Sequence, residues 1–417
     1  MTAPKLRFKD FDEDWTAKKL SQVANLTSSK RVHLSDYVSE GIPFFRGKEI
    51  TELKSGIFPK DILYISKKQY EDFKEKFGAP QNNEILMTAV GTLANTYLIN
   101  TDFEFYFKDG NLIWFKDINA DPNFLMILLD ARKNDVLASA IGSTQKALTI
   151  ANLNKLIFNF PSKEEQTKIA SFLSTVDEKI SQLTQKHALL SQYKQGMMQK
   201  LFSQEIRFKA DDGSEFGEWE EKTLIDSIDS SIKWSFTGGP FGSNLKSDDY
   251  TESGIRIIQL QNIGDGLFLN DYKIFTSLEK ADELLSCNIY PNEILISKMG
   301  DPVARCCIVP NHHDRYLMCS DGIRLVVNKN KYSTHFMFYQ INYQDFRQKA
   351  SDVSTGSTRK RIGLSDLKQL PILVPCLDEQ TKIANFLLST DQKIEVVTQQ
   401  IEQAKQWKKG LLQQMFV

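Results

Sequence analysis

The sequence predicts a duplicated α/β (α+β) chain, in which two tandem globular domains are separated by two long antiparallel coiled-coil helices with internal pseudo-two-fold symmetry. Three observations predict it. Residues 164–202 and 378–416 align without a gap over 39 positions at a constant shift of 214, with 18 identities. Both copies carry a sustained heptad seam. Weaker matches continue through the segments before each copy, in the same order.

The first domain is expected over residues 1–160 and the second over 204–374, each within the usual domain size range. Leu6-Arg7-Phe8-Lys9 matches Ile206-Arg207-Phe208-Lys209, and Trp15-x-x-Lys18-x-Leu20 matches Trp219-x-x-Lys222-x-Leu224. Tyr37 to Ile42 (YVSEGI) matches Tyr250 to Ile255 (YTESGI). Asn83-Glu84-Ile85-Leu86 matches Asn292-Glu293-Ile294-Leu295, Gly91 falls on Gly300, and Asp109-Gly110 falls on Asp321-Gly322. Gly142-Ser143-Thr144-Gln145-Lys146 matches Gly356-Ser357-Thr358-Arg359-Lys360. The offset drifts between 200 and 214, so insertions fall in the globular parts and none in the helices. Short apolar runs such as Ile85-Leu86-Met87-Thr88 read as strands, and residues 122–135 read as helix.

The helices are expected over residues 161–203 and 375–417. The first seam runs through Ile169, Leu173, Val176, Ile180, Leu183, His187, Leu190, Lys194, Met197 and Leu201. The second runs through Ile383, Leu387, Thr390, Ile394, Val397, Ile401, Ala404, Lys408, Leu411 and Met415. Each helix would be roughly 58 Å long, and so long a narrow apolar stripe needs another long helix as partner. The first helix delivers the chain to the second domain, and an antiparallel second helix starts there and returns. His187, Lys194, Thr390 and Lys408 interrupt the seam, either fixing register or reaching out to water.

Composition narrows the class. The chain is 41% hydrophobic and 25% charged, with a net charge of −1, so any contact with nucleic acid must use local patches or a basic partner. No apolar run approaches the ~18 residues of a membrane span, and the start has no apolar leader core, so a cytoplasmic protein without membrane contact is expected. Five cysteines without a CxxC fit a reduced protein. Cys306, Cys307, His312, His313 and Cys319 form the one Cys/His cluster, but adjacent strand cysteines face opposite ways, which suits chelation poorly, and no metal is expected. No phosphate loop is present, and no Pro-Pro pair of the kind an amino-methyltransferase motif requires.

The features now assembled resemble the specificity (S) subunit of a type I restriction–modification system. The carrying residues are Glu165-Gln166-Thr167-Lys168-Ile169-Ala170 and Glu379-Gln380-Thr381-Lys382-Ile383-Ala384, each shortly after a proline, together with the two WxxKxL starts, the YxxxGI segments and the GSTxK stretches. The resemblance covers essentially the whole chain. It implies two target-recognition domains, each reading one half of a split double-stranded DNA target. It further implies helices that act as spacer and as docking surface for methyltransferase (M) subunits, two of them, with restriction/translocase (R) subunits in the full complex. The chain itself would be non-catalytic and hold no cofactor; S-adenosylmethionine, ATP and Mg would sit on partner subunits. The competing class is a coiled-coil adaptor that never touches DNA, which the near-neutral charge favours.

Base edges are read by paired donors and acceptors, and phosphates by Lys, Arg, Ser, Thr and backbone amides. Three loop-like places supply these types in both copies. The first holds Lys30 and Arg31, and in the second copy Ser243, Asn244 and Lys246. The next holds Arg46 and Lys48, matched by Gln259, Gln261 and Asn262. The last holds Ser143, Thr144, Gln145 and Lys146, matched by Ser357, Thr358, Arg359, Lys360 and Arg361. The helix-pair interface is assigned to Ile169, Leu173, Val176, Ile180, Leu183, Leu190, Ile383, Leu387, Ile394, Val397, Ile401 and Leu411.

Overall fold

The computed structural model describes residues 4–356 and 359–416. The chain forms two compact units, Met1–Gln185 with Gln399–Val417, and Lys186–Thr398. The division falls within the long helices.

In the first unit one antiparallel sheet runs in the order Asn25–Thr27, Leu112–Lys116, Ile85–Thr88, Thr96–Leu98. A second sheet runs Tyr37–Val38, Leu63–Ile65, Ile42–Phe45, Tyr106–Phe107, its last pair parallel. The central strand Ile85–Thr88 is buried at every position, so its period-two alternation divides two cores. Ile85 and Met87 face the larger core, which holds Ile113, Phe115, Phe124, Leu125 and Leu128. Leu86 faces a smaller core with Phe45, Phe107 and Trp114. The expected helix over 122–135 is two helices, Pro122–Ala131 and Lys133–Ala138, meeting at Arg132. Asp121 caps the first, its carboxylate accepting from the Phe124 amide at 3.0 Å, with Pro122 in the first turn.

The second unit repeats this plan. Its sheet Phe236–Gly238, Gly322–Leu325, Ile294–Ser297, Cys306–Ile308 again divides two cores. Ile294, Ile296 and Cys306 face one, Leu295 and Cys307 the other. The two adjacent cysteines therefore do point to opposite faces. Burial lifts the Cys307 thiol pKa to about 12. No cluster of residues suited to a metal ion occurs among the described residues.

The long helices are Lys163–Phe202 and Leu377–Met415. In the first unit, Ile169, Ala170, Leu173 and Val176 share a core with Leu411, Met415 and Phe416. In the second, Leu201 and Phe202 share a core with Ile383, Ala384 and Leu387. The start of each helix thus lies with the end of the other, and the pair runs antiparallel. These seam residues pack against the globular domain as well as against the partner helix, which the seam argument did not foresee. Along the rods Leu183 and Val397 are buried, while Ile180, Leu190, Ile394 and Ile401 are half-buried.

Three of the residues that interrupt the seam have specific partners. Lys408 Nζ reaches Asp177 at 2.5 Å in the first unit, and Lys194 Nζ reaches Asp391 at 2.6 Å in the second. Thr390 is buried, and its hydroxyl donates to the Phe386 carbonyl one turn back at 3.0 Å.

The Glu-Gln motif at each helix start is a buried brace. Glu165, 1% exposed, accepts a bidentate pair from Arg7 at 2.7 Å on each oxygen, and Trp15 Nε1 approaches it at 3.4 Å. Gln166 donates to the Pro161 carbonyl and accepts from the Asp121 amide, both at 2.9 Å. The second unit repeats each bond. Arg207 donates to Glu379 at 3.0 and 2.6 Å and Trp219 Nε1 at 3.2 Å, while Gln380 joins the Pro375 carbonyl and the Ser333 amide. A buried carboxylate is tolerable only when paired and hydrogen-bonded, and here both conditions are met.

Candidate nucleic-acid interface

The three polar loops of each unit meet at one tip, and the Asp-Gly turn between strands is their hub. In the first unit Arg31 Nε donates to Asp109 at 3.0 Å, and the Ser28 hydroxyl accepts from the Gly110 amide at 3.3 Å. The Ala89 amide donates to the Asn111 carbonyl at 2.8 Å, and the Ala89 carbonyl accepts from Leu148, just past the 142–146 loop, at 2.9 Å. A groove of about 650 Å³ opens between Arg46, Lys48 and the 88–92 loop.

In the second unit the Gly239 amide donates to Gly322 at 2.9 Å, Cys319 donates to the Ile258 carbonyl at 2.9 Å, and Arg361 donates to Asp321 at 2.8 Å. Gly239 is required there, since a Cβ would lie 1.7 Å from the Cys319 carbonyl oxygen. These contacts join Gly239, the strand end at Ile258 and Arg361 around one turn. Asp109 and Asp321 matched in the repeat, but the sequence reading gave neither a role. The signal was their position between two basic segments.

Within this frame the expected contact residues differ in standing. Lys30 is exposed, its ammonium 4.2 Å from the Phe77 ring centroid, and Ser143, Thr144, Gln145 and Lys146 are all exposed on the tight loop closed by Ile141 and Ala147. Gly142 takes φ +114 there, and a Cβ would lie 2.2 Å from the Gln145 carbonyl oxygen. Ser243, Asn244 and Lys246 are exposed beside Phe241. Lys48 is exposed, 3.7 Å from Glu52. Arg46 is half-exposed and grips Glu49, with Nη2 to Oε1 at 2.6 Å and Nε to Oε2 at 3.3 Å. Burial works to raise the Glu49 pKa, but the Arg46 guanidinium and backbone amides outweigh it and hold the carboxyl below its ordinary value. Gln261 is exposed, and Gln259 Nε2 donates to the Tyr250 hydroxyl at 3.2 Å.

Asn262 is a correction. It is fully buried, accepts from the Gln259 amide at 2.9 Å and donates to the Leu269 and Tyr272 carbonyls at 2.8 and 2.9 Å. Its hydrogen bonds go to backbone, so it cannot read a base. The basic run is also less open than expected. Lys360 is bound to the Ser351 hydroxyl and Arg361 to Asp321, leaving Arg359 as its exposed cation without a bond seen among the described residues. Ser357 and Thr358 lie outside the described residues.

Among the described residues no helix is long and apolar enough to cross a membrane. The family model described as "Type I restriction modification DNA specificity domain" matches residues 12–192 and 244–406. Of the curated relatives, the MjaVIII specificity subunit of a type I restriction enzyme from Methanocaldococcus jannaschii is 25% identical over 408 residues, covering 90% of both chains. A putative MjaX specificity subunit from the same organism is 25% identical over 430 residues, covering 98% of this chain and 94% of that one. Among solved structures, a type I restriction–modification S subunit from M. genitalium shares the fold at a TM-score of 0.60 and 18% identity, covering 100% of this chain and 99% of that one. With both repeats matched, this chain belongs to the type I restriction modification DNA specificity domain family.

Proposed function

We propose that the chain is the DNA-reading, non-catalytic specificity subunit of a type I restriction–modification complex, each globular unit reading one half of a bipartite double-stranded target. The observation that carries this reading is the recurrence, in both units, of three polar loops gathered around an Asp-Gly turn at one tip. Their side chains supply the donors and acceptors that phosphates and base edges need. The helix pair then sets the unread gap. Helices of 40 and 39 residues extend roughly 60 Å, the length of about 17 base pairs. The helices also dock two methyltransferase subunits, with restriction/translocase subunits joining the full complex. S-adenosylmethionine, ATP and Mg are bound by those partners.

The test is methylation mapping with the chain co-purified with its methyltransferase. A split motif with two constant half-sites is expected, and removing or adding seven residues in both helices should change the gap without changing the bases read. Methylation without a split motif, or altered half-sites in the helix variants, would refute the reading. A complex that assembles but never binds DNA would favour a protein adaptor instead.

A further inference from the structure

We infer that Arg46 and Gln259 are equivalent base readers, and that they specify guanine in one half-site and adenine in the other. The inference rests on the DNA-reading role proposed above.

The equivalence is structural. Arg46 directly follows strand Ile42–Phe45, and Gln259 directly follows Ile255–Ile258. Each strand pairs in parallel with the strand leading to the Asp-Gly hub, Tyr106–Phe107 or Tyr316–Met318. Each backbone amide donates to the side chain three residues on, Arg46 to Glu49 at 2.7 Å and Gln259 to Asn262 at 2.9 Å. The two side chains therefore leave the same place in the fold and differ in chemistry.

Both are held before any ligand arrives. Glu49 occupies the Nε and Nη2 edge of Arg46, fixing the guanidinium plane. The opposite end still presents hydrogens on Nη1 and Nη2, two parallel donors. Guanine alone offers two acceptors, O6 and N7, in the major groove. Tyr250 takes one hydrogen of the Gln259 amide. The other hydrogen and Oε1 remain, a donor beside an acceptor, which complements N7 and N6 of adenine. The neighbour of Arg46 carries less information. Lys48 is a rotating ammonium near Glu52, with no fixed pair of donors.

The test uses the intact methyltransferase complex and a DNA library randomised in both half-sites. Wild type should require guanine in one half-site and adenine in the other. R46K keeps the charge and loses the fork, and should weaken the guanine preference about 10-fold or more while leaving the other half-site unchanged. The double variant R46Q/E49N installs the second unit's pair in the first, and should convert the required guanine to adenine. A motif lacking those two bases, or an R46K complex with wild-type preference at every position, overturns the assignment; where the double variant does not assemble, R46K decides. Failure of the wild-type complex to modify any split motif would instead sink the DNA-reading role itself.

Discussion

At the foot of each unit the two copies make the same bonds with the same residue types; at the tip they do not. Arg7, Trp15, Glu165 and Gln166 in one unit correspond bond for bond to Arg207, Trp219, Glu379 and Gln380 in the other. At the tip Arg46 over Glu49 faces the same role as Gln259 over Asn262. The foot is buried, so any unmatched change there strands a charge away from water. The tip faces solvent, where a new side chain costs little stability and changes what can be bound. Between the two lies an intermediate layer. Glu84 accepts from Trp114 at 2.7 Å, whereas its counterpart Glu293 takes a bidentate pair from buried Arg324 at 2.8 and 2.5 Å.

The foot gives the largest expected effect. Glu165→Ala and Glu379→Ala should each cost about 3–5 kcal/mol, because a mostly buried arginine loses its counter-ion. Urea unfolding would measure this, and a large difference between the two variants would break the equivalence of the feet.

Next, Glu293→Gln should destabilise by about 2–4 kcal/mol and Glu84→Gln by less than about 1, since only the first leaves a cation unpaired. The Glu84 carboxyl is pushed above its ordinary pKa mainly by burial. Its folded state therefore favours the protonated form, so its contribution is fully present at low pH and is lost as pH rises from the ordinary carboxylate range. Glu84→Gln should flatten that part of the stability profile, and an unchanged profile would contradict it.

Asp391→Ala should cost more than Asp177→Ala, about 1–2 against less than about 1 kcal/mol, because Asp391 also accepts from the hydroxyl of buried Tyr339. That bond is 2.6 Å long. Thermal unfolding of Y339F in each background would separate the hydroxyl from the ion pair.

The smallest effect is at the tip. Arg359→Ala should lower the salt dependence of DNA binding by about one unit of slope, nearly as much as changing Arg359, Lys360 and Arg361 together. Two of those cations are already engaged within the protein. A triple variant with a slope change of about three would show that those bonds release on binding.

Much of this frame was legible in the sequence because the repeat is itself a measurement of which residues the fold needs. The gap-free alignment located both helices, and the seam fixed which faces meet. What was hidden is what a residue type leaves undecided. Asn262 has the same functional groups whether it meets a base or three backbone groups, and only burial tells them apart. Lys194 and Lys408 read as interruptions because their partners lie far off in sequence. Even so, the repeat placed an aspartate at equivalent positions, Asp177 and Asp391, and that pattern could have identified the pairs. The gathering of polar segments near the Asp109-Gly110 and Asp321-Gly322 turns depends on strand pairing that no local pattern encodes.

The first core is assembled from segments far apart in the chain, with Leu411, Met415 and Phe416 sitting among residues from 15–176. During synthesis this lobe stays partly unfilled until residues 411–416 have left the ribosome, whereas the second lobe is nearly complete beforehand. A nascent chain stopped at residue 405 should accordingly have a sound second lobe and a loose first one, so quality control would notice a late truncation through the part made earliest.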